Sequence, residues 1–117
     1  MLQLVMRGSG DQRIAVEPVL RRLELCVRAR EGEEWNHVLS RVPRSLFHAI
    51  HTALAGGEGL DEPVKFTEDG FEGRIARESG HPYKLTIVRG VGWSEVTVEP
   101  TTDDLVNLAY WSAQLSW

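Results

Sequence analysis

The sequence predicts an α+β domain in which two helices pack on a curved antiparallel sheet of about six to eight strands. Several short runs alternate apolar and polar residues, as strands with one buried face do. Two longer segments repeat apolar residues every three or four positions, which is the spacing of an amphipathic helix. Most turns between the runs are short, so consecutive strands are expected to be antiparallel. The sheet would consist of an N-terminal hairpin, a long strand and a C-terminal meander.

The composition is that of one globular domain spanning residues 1–117. Hydrophobic residues make up 42% and charged residues 26% of the chain, a balance that argues against a disordered protein. No apolar run reaches the roughly 18 residues of a membrane span, and residues 1–7 lack the pattern of a secretory signal. Cys26 is the single cysteine, so no internal disulfide is expected. We therefore expect a cytoplasmic protein with no membrane contact.

The first part of the chain predicts a hairpin and a long strand. Residues 2–6 and 12–16 flank the turn-rich segment 7–11, which is typical of a hairpin. Residues 23–30 alternate apolar and polar side chains and predict a half-buried strand. A turn at 31–34 and a short strand over 35–39 are expected to follow.

The first helix is predicted over residues 43–55, because Pro43 suits a first turn and Gly56 suits the position after the last. One stripe of this helix is apolar and comprises Leu46, Phe47, Ile50, Ala53 and Leu54. We expect Phe47 and Ile50 to be buried against the sheet.

The C-terminal half predicts an antiparallel meander and a second helix. The four strands are expected over 64–67, 71–78, 83–89 and 93–99. The helix follows over 102–114, with Thr101 or Thr102 as its cap and Asp103 and Asp104 near the positive end of its dipole.

The predicted features thus follow a definite order along the chain: a strand with apolar alternation, a tryptophan, an amphipathic helix, a meander and a capped helix. The stretches concerned are 23–29, Trp35, 46–54, 70–75 and 101–108. In this order and apolar pattern the chain resembles the WapI-type immunity proteins of bacterial toxin systems and related small proteins of high-GC bacteria. The resemblance implies an α+β bacterial protein that occupies the active face of a toxin. It implies no catalytic residue, because those proteins act by binding.

No sequence motif for catalysis or phosphate binding occurs. The G-x-S-x-G, Walker and G-x-G-x-x-G patterns are all absent. The glycine pairs at 8–10 and 90–92 fall between predicted strands, whereas a phosphate cradle needs the start of a helix. Cys26 has no histidine near it in sequence that could activate it as a nucleophile. We expect no cofactor.

His48 and His51 are the strongest candidates in the sequence for a metal-binding or catalytic pair. They stand three positions apart on the predicted first helix, a spacing that can hold a metal ion. Glu58, Asp61 and Glu62 could approach from the following loop, but they form no known motif with the histidines. Two solvated histidines on the outer helix face are the simpler interpretation. A metal-dependent enzyme that uses this pair stays open as an alternative.

The second helix has nearly two apolar stripes, where a surface helix needs one. The first stripe comprises Leu105, Leu108, Trp111 and Leu115, and the second comprises Val106, Tyr110, Ala113 and Trp117. A domain of this size has little room to enclose a helix fully. We therefore expect the second stripe to bind another chain, although burial within the core stays open.

The charge is concentrated in the C-terminal half. Lys and Arg number eight against seven Asp and Glu through residue 60, but five against ten after it, and the net charge is -4. This balance argues against a general nucleic-acid binder and favours a basic protein partner, with Glu95 and Asp104 among the contact residues. The alternative is an acidic surface that serves solubility alone.

These patterns together predict a non-catalytic protein-binding domain. The resemblance makes it an immunity-like inhibitor of a toxin. A second hypothesis is a small structural or adaptor subunit that forms a homodimer through its C-terminal helix.

Overall fold

The α+β architecture is confirmed by the computed structural model, in which antiparallel strands and two helices pack together. The structure describes residues 3–19, 24–31, 33–40, 44–57, 59–68, 71–89 and 95–116. In the N-terminal half the elements are β1 (Leu4–Arg7), β2 (Arg13–Val19), β3 (Glu24–Glu31), β4 (Glu33–Ser40) and α1 (Arg44–Ala55). In the C-terminal half they are β5 (Val64–Glu68), β6 (Phe71–Ala76), β7 (Lys84–Arg89), β8 (Glu95–Val98) and α2 (Thr102–Ser116).

The strands form two four-stranded sheets, and the expectation of one continuous sheet is wrong. β1 to β4 pair in chain order, β5 to β8 do the same, and every pair is antiparallel. The sequence places α1 between β4 and β5, so these two strands are not joined by a hairpin turn. The two sheets meet where β1 and β8 end, since the backbone N–H of Glu99 donates to the carbonyl of Arg7 at 2.9 Å. The curvature expected of the sheet stays a prediction.

The strand bounds differ from the predicted ones at two turns. β3 and β4 pair as antiparallel neighbours, but residues 33 and 34 belong to β4 and Glu33 is paired with Glu31 of β3, so the turn predicted over 31–34 is too long. β6 ends at Ala76 instead of continuing to residue 78. The chain turns at that point, because the N–H of His81 donates to the carbonyl of Glu78 and Gly80 adopts a φ of 79°.

Both sheets and both helices contribute to one cluster of buried apolar side chains. The members from the sheets include Met6, Ile14, Val16, Phe66, Ile75, Leu85, Ile87, Val96 and Val98. The members from the helices include Leu46, Ala49, Ile50, Ala53, Leu105, Leu108 and Ala109. α1 packs against β5, β6 and α2, and α2 also reaches β3. In β1, β7 and β8 the alternation correctly identified side chains that are buried, namely Met6, Leu85, Ile87, Val96 and Val98.

α1 buries a stripe that is rotated from the predicted one. Ile50 is fully buried as expected, but Phe47 is only half-buried and its ring lies 4.3 Å from that of His51. The burial predicted for Phe47 is therefore wrong. The buried stripe is centred between Leu46 and Ala53, and Phe47 lies about 110° around the helix from that centre.

The C-terminal end of α1 is held by two side chains from the connection between β6 and β7. Arg77 donates from Nη1 to the carbonyl of Gly57 at 2.8 Å, and the hydroxyl of Tyr83 donates to the same carbonyl at 3.2 Å. The guanidinium of Arg77 also lies 4.4 Å from the centre of the Tyr83 ring. α1 has no basic residue in its own last turn, so Arg77 supplies the positive charge that suits this end of the helix dipole.

Neither helix, within the part of the chain that the structure describes, is long and apolar enough to cross a membrane.

Candidate functional site

The outward face of α2 carries two of the four residues predicted as its second apolar stripe. Val106 and Tyr110 are 49% and 62% exposed, and Ala113 is half-buried. Trp117, the fourth predicted residue, lies outside the described residues. This face is therefore not part of the core of the single chain. We call Val106, Tyr110 and Ala113 the α2 outer patch.

The opposite side of α2 anchors the helix in the fold. Leu105, Leu108 and Ala109 are buried, Ser112 is fully buried and Trp111 is packed against the core cluster. The two stripes recognised in the sequence thus have different environments. The stripe with Leu105 and Leu108 stabilises the fold because it is buried, whereas Val106 and Tyr110 of the other stripe face solvent. Burial of these exposed apolar side chains in a complex would be favourable.

Asp104, predicted as a contact for a basic partner, acts in the cap of α2. Its Oδ2 accepts a hydrogen bond of 2.9 Å from the backbone N–H of Thr101. The N–H of Asp104 in turn donates to Thr101 Oγ1 at 3.1 Å. These reciprocal bonds form a capping box, in which Thr101 is the N-cap residue. The carboxylate of Asp104 therefore stabilises the helix terminus, whereas the neighbouring Asp103 is exposed.

Glu95, the second predicted acidic contact, lies on β8 and forms an ion pair. Its Oε1 is 3.2 Å from Nη2 of Arg74, and the two side chains remain 52% and 36% exposed. An exposed pair of this kind contributes little to stability, so Glu95 stays accessible to a partner. No hydrogen bond or ion pair among the described residues joins Glu95 to Asp104 or to Tyr110.

The candidate metal pair lies on the solvent side of α1. His48 and His51 are both exposed, and the ring of Phe47 lies beside them at centroid distances of 6.0 and 4.3 Å. In the described ranges, no group of three His, Cys, Asp or Glu residues is arranged to hold a metal ion. The backbone of Cys26 pairs with Glu17 and Val38, but its side chain lies outside the described part.

A cleft at the junction of the two sheets is a feature that the sequence patterns did not reveal. It has a volume of about 320 Å³ and lies between the β1–β2 turn and the segment 76–84. Its lining includes Gly8, Gln12, Glu78, Lys84, Thr97 and Glu99. We call this feature the junction cleft. Its volume is at the lower end of the range of small-molecule sites.

One wall of the junction cleft is the β1–β2 turn, which is fixed against β8. The backbone N–H of Thr97 donates to Gln12 Oε1 at 2.8 Å. Within the turn, the N–H of Gly8 donates to the carbonyl of Gln12 at 2.8 Å. A Cβ atom on Gly8 would overlap the carbonyl oxygen of Thr97, so only glycine allows the turn to lie this close.

A second part of the lining is the turn after β6, in which Arg77 makes hydrogen bonds. Its Nε donates to the carbonyl of His81 at 2.9 Å, while its Nη1 reaches Gly57. The N–H of Leu60 donates to the carbonyl of Arg77 at 2.9 Å, which ties this turn to the chain after α1. Both walls are therefore shaped by hydrogen bonds within the chain.

Gly8 is the member of the 8–10 glycine pair that lines this cleft. The pair predicts an ordinary turn between strands, because no helix follows it to make a phosphate cradle. The other part of the lining is formed by residues 76 to 84, far along the chain. No local sequence pattern in either segment predicts that the two segments meet.

The comparisons with known proteins give no family for this chain. No protein-family model matches the sequence, and no curated protein is significantly similar to it.

Proposed function

We propose that this chain is a non-catalytic protein-binding domain and that the α2 outer patch is its contact surface. The observation that carries the proposal is the exposure of Val106 and Tyr110, at 49% and 62%. The helix is already held in the fold by its opposite, buried face, so these two side chains are available for another purpose. Tyrosine is enriched at the energetic centres of interfaces, because it combines a large apolar body with a polar end.

The partner that fits this surface is a basic protein with an apolar pocket. Asp103 is exposed in the first turn of α2, one helical turn before Val106. The residues of α2 from Thr102 to Ser116 include two acidic side chains and no Lys or Arg. A negative rim beside an apolar centre attracts a positive partner and raises the rate of encounter.

On the resemblance to immunity proteins, the partner is a bacterial toxin whose active face this chain covers. The α+β architecture agrees with that resemblance. Inhibition by occupancy needs affinity and a matching shape, and it asks for no catalytic group in the inhibitor. A small domain with a rigid, exposed helix face meets this requirement.

The first experiment identifies what covers the α2 outer patch. A photoreactive amino acid is placed at Tyr110 in cells that carry the chain, and at Asn107 as the matched control, because Asn107 is exposed on the polar strip of the same helix. We expect one basic protein to cross-link through position 110 and not through position 107. Cross-linking from both positions alike, or from 107 alone, would contradict the proposed surface.

The second experiment measures the complex with the purified partner. Tyr110→Ala should weaken binding about 30-fold, mainly through faster dissociation, because a buried aromatic contact is worth about 2 kcal/mol. Glu95→Lys and Asp103→Lys should mainly slow association and reduce its salt dependence. Asn107→Ala should leave both rates unchanged. Equal affinities for Tyr110→Ala and the unmodified chain would overturn the proposal.

A measurement of self-association distinguishes the homodimeric adaptor hypothesis from the inhibitor proposal. If sedimentation shows that the unmodified chain is a dimer and that Tyr110→Ala is a folded monomer, the patch binds a second copy and the inhibitor proposal fails. If both proteins are monomers at all concentrations, the homodimer alternative fails. Neutralisation of the partner's toxicity in co-expressing cells, lost with Tyr110→Ala, is the result expected of an immunity-like inhibitor.

A further inference from the structure

The junction cleft lies outside the proposed contact surface and has features of a preformed ligand site. Its volume of about 320 Å³ is at the lower end of small-molecule sites, which leaves room for a small ligand and too little for a folded partner. The turn that carries Gly8 and the turn that carries His81 both line it. Both are fixed by hydrogen bonds to the rest of the chain. A site with fixed walls loses little conformational freedom when it binds, and this favours affinity.

The ionised groups of the lining have both signs. Lys84 contributes an ammonium group, and Glu78 and Glu99 contribute carboxylates. All three side chains are exposed, and none of them forms a hydrogen bond or ion pair with another described residue. Arg77 also lines the cleft, but two of its nitrogens already donate to the carbonyls of His81 and Gly57. Among the described Lys and Arg side chains that line the cleft, Lys84 is the one that makes no hydrogen bond or ion pair with another described residue.

We propose that the junction cleft binds a small zwitterion, a molecule with one ammonium and one carboxylate group, such as a free α-amino acid. The ligand carboxylate pairs with the ammonium of Lys84, and the ligand ammonium pairs with a carboxylate of Glu78 or Glu99. A simple anion would meet the two carboxylates of Glu78 and Glu99 in the same lining, and a simple cation would meet the positive charges of Lys84 and Arg77. A zwitterion is the small-ligand class that complements both signs at once, with charge-assisted hydrogen bonds.

The experiment is a titration of the isotopically labelled full chain, followed by nuclear magnetic resonance. The probes are the free proteinogenic L-amino acids, added one at a time, with acetate and ethylamine as single-charge probes. We expect at least one amino acid to give saturable shifts at the amides of Gly8, Ser9 and Thr97 below about ten millimolar, in the range of weak small-ligand binding. Acetate and ethylamine should give no saturable shifts at these amides.

Three variants assign the binding to this cleft. Lys84→Met and Glu99→Gln should each weaken the amino acid about tenfold, because each removes one half of the charge match. Lys65→Met is the matched control, since Lys65 is exposed on β5 of the same sheet and does not line the cleft. It should bind as the unmodified chain does. All three replaced side chains are exposed, so the variants are expected to fold, and the amide spectrum checks this directly.

Three results would overturn the inference. The first is that no amino acid gives saturable shifts. The second is that acetate or ethylamine binds as tightly as the best amino acid, which would make this a site for one charge only. The third is that Lys84→Met and Glu99→Gln both bind with unchanged affinity, which would place the ligand elsewhere. None of these results bears on the α2 outer patch, so the two proposals can fail separately.

Discussion

The ring of Phe66 on β5 lies directly over Gly73, the residue paired with it on β6. A Cβ atom at position 73 would overlap the ring, and Phe66 is only 4% exposed, so the ring fills the space that a side chain would occupy. This contact explains a glycine in the middle of a strand, where glycine is normally unfavourable. It also places a large apolar surface on β5 and β6, the two strands of the second sheet that α1 contacts.

Gly73→Ala should destabilise the protein by about 1 to 3 kcal/mol, because the ring of Phe66 must leave its packed position. The free energy of unfolding in urea measures this effect. Gly59→Ala is the matched control, since a Cβ atom there would meet its nearest neighbour at 3.5 Å, an ordinary contact distance. Equal stability of Gly73→Ala and Gly59→Ala would contradict the close approach of the ring.

Arg77→Ala should lower the free energy of unfolding by about 1.5 to 3 kcal/mol, because it removes charge-assisted hydrogen bonds to Gly57 and His81 together. Arg77→Lys should be intermediate, since lysine keeps the charge but has no planar fork of donors. Arg74→Ala serves as the comparison, because its ion pair with Glu95 is exposed and should contribute less than about 1 kcal/mol. Hydrogen exchange should also accelerate in the last turn of α1 for the Arg77 variants alone. A larger loss of stability in Arg74→Ala would refute this assignment.

Asp104→Ala should cost about 1 kcal/mol of stability, because it removes the acceptor for the N–H of Thr101 in the capping box. Asp103→Ala, one residue earlier, should cost about 0.5 kcal/mol, since an exposed carboxylate there interacts with the helix dipole alone. Thermal unfolding of the two variants side by side tests the order. If Asp103→Ala were the more damaging change, Asp104 would not be acting in the cap.

Ile50→Ala should destabilise the protein by about 2 to 5 kcal/mol, as is usual for a fully buried aliphatic side chain. Phe47→Ala should cost less, about 1 to 2 kcal/mol, because the ring is only half-buried and part of its contact is with the exposed His51. Urea unfolding of both variants gives the comparison. A greater loss for Phe47→Ala would show that the phase of α1 is nearer to the one predicted from sequence.

The sequence predicted the type and order of the elements because these depend on neighbours along the chain. Alternation identified the buried faces of β1, β7 and β8, and the glycine and proline positions placed most of the turns. Thr101 and the acidic residues after it correctly marked the start of α2. The burial predicted for Phe47 was wrong because the sequence carries information only about neighbours along the chain. A helical wheel shows which residues share a face, but the neighbouring elements decide where the centre of that face lies.

The candidate sites divide in the same way. Val106 and Tyr110 could be selected from the helical period of α2, yet the wheel could not show whether their stripe was enclosed or exposed. The junction cleft could not be predicted, because the hydrogen bond that fixes one of its walls joins Gln12 to Thr97, 85 positions apart. Neither residue has a local pattern that refers to the other.

By itself, then, the sequence determined an α+β chain with strand and helix segments in a definite order, an acidic C-terminal half and a second apolar stripe on its last helix. The tertiary structure alone decided that the strands divide into two sheets, that Arg77 closes the end of α1, and that a cleft forms where the sheets meet. The physical reason is the separation along the chain over which each kind of interaction acts. Hydrogen-bonding period and side-chain alternation act within a few residues, whereas packing brings together groups whose separation along the chain carries no signal of their contact.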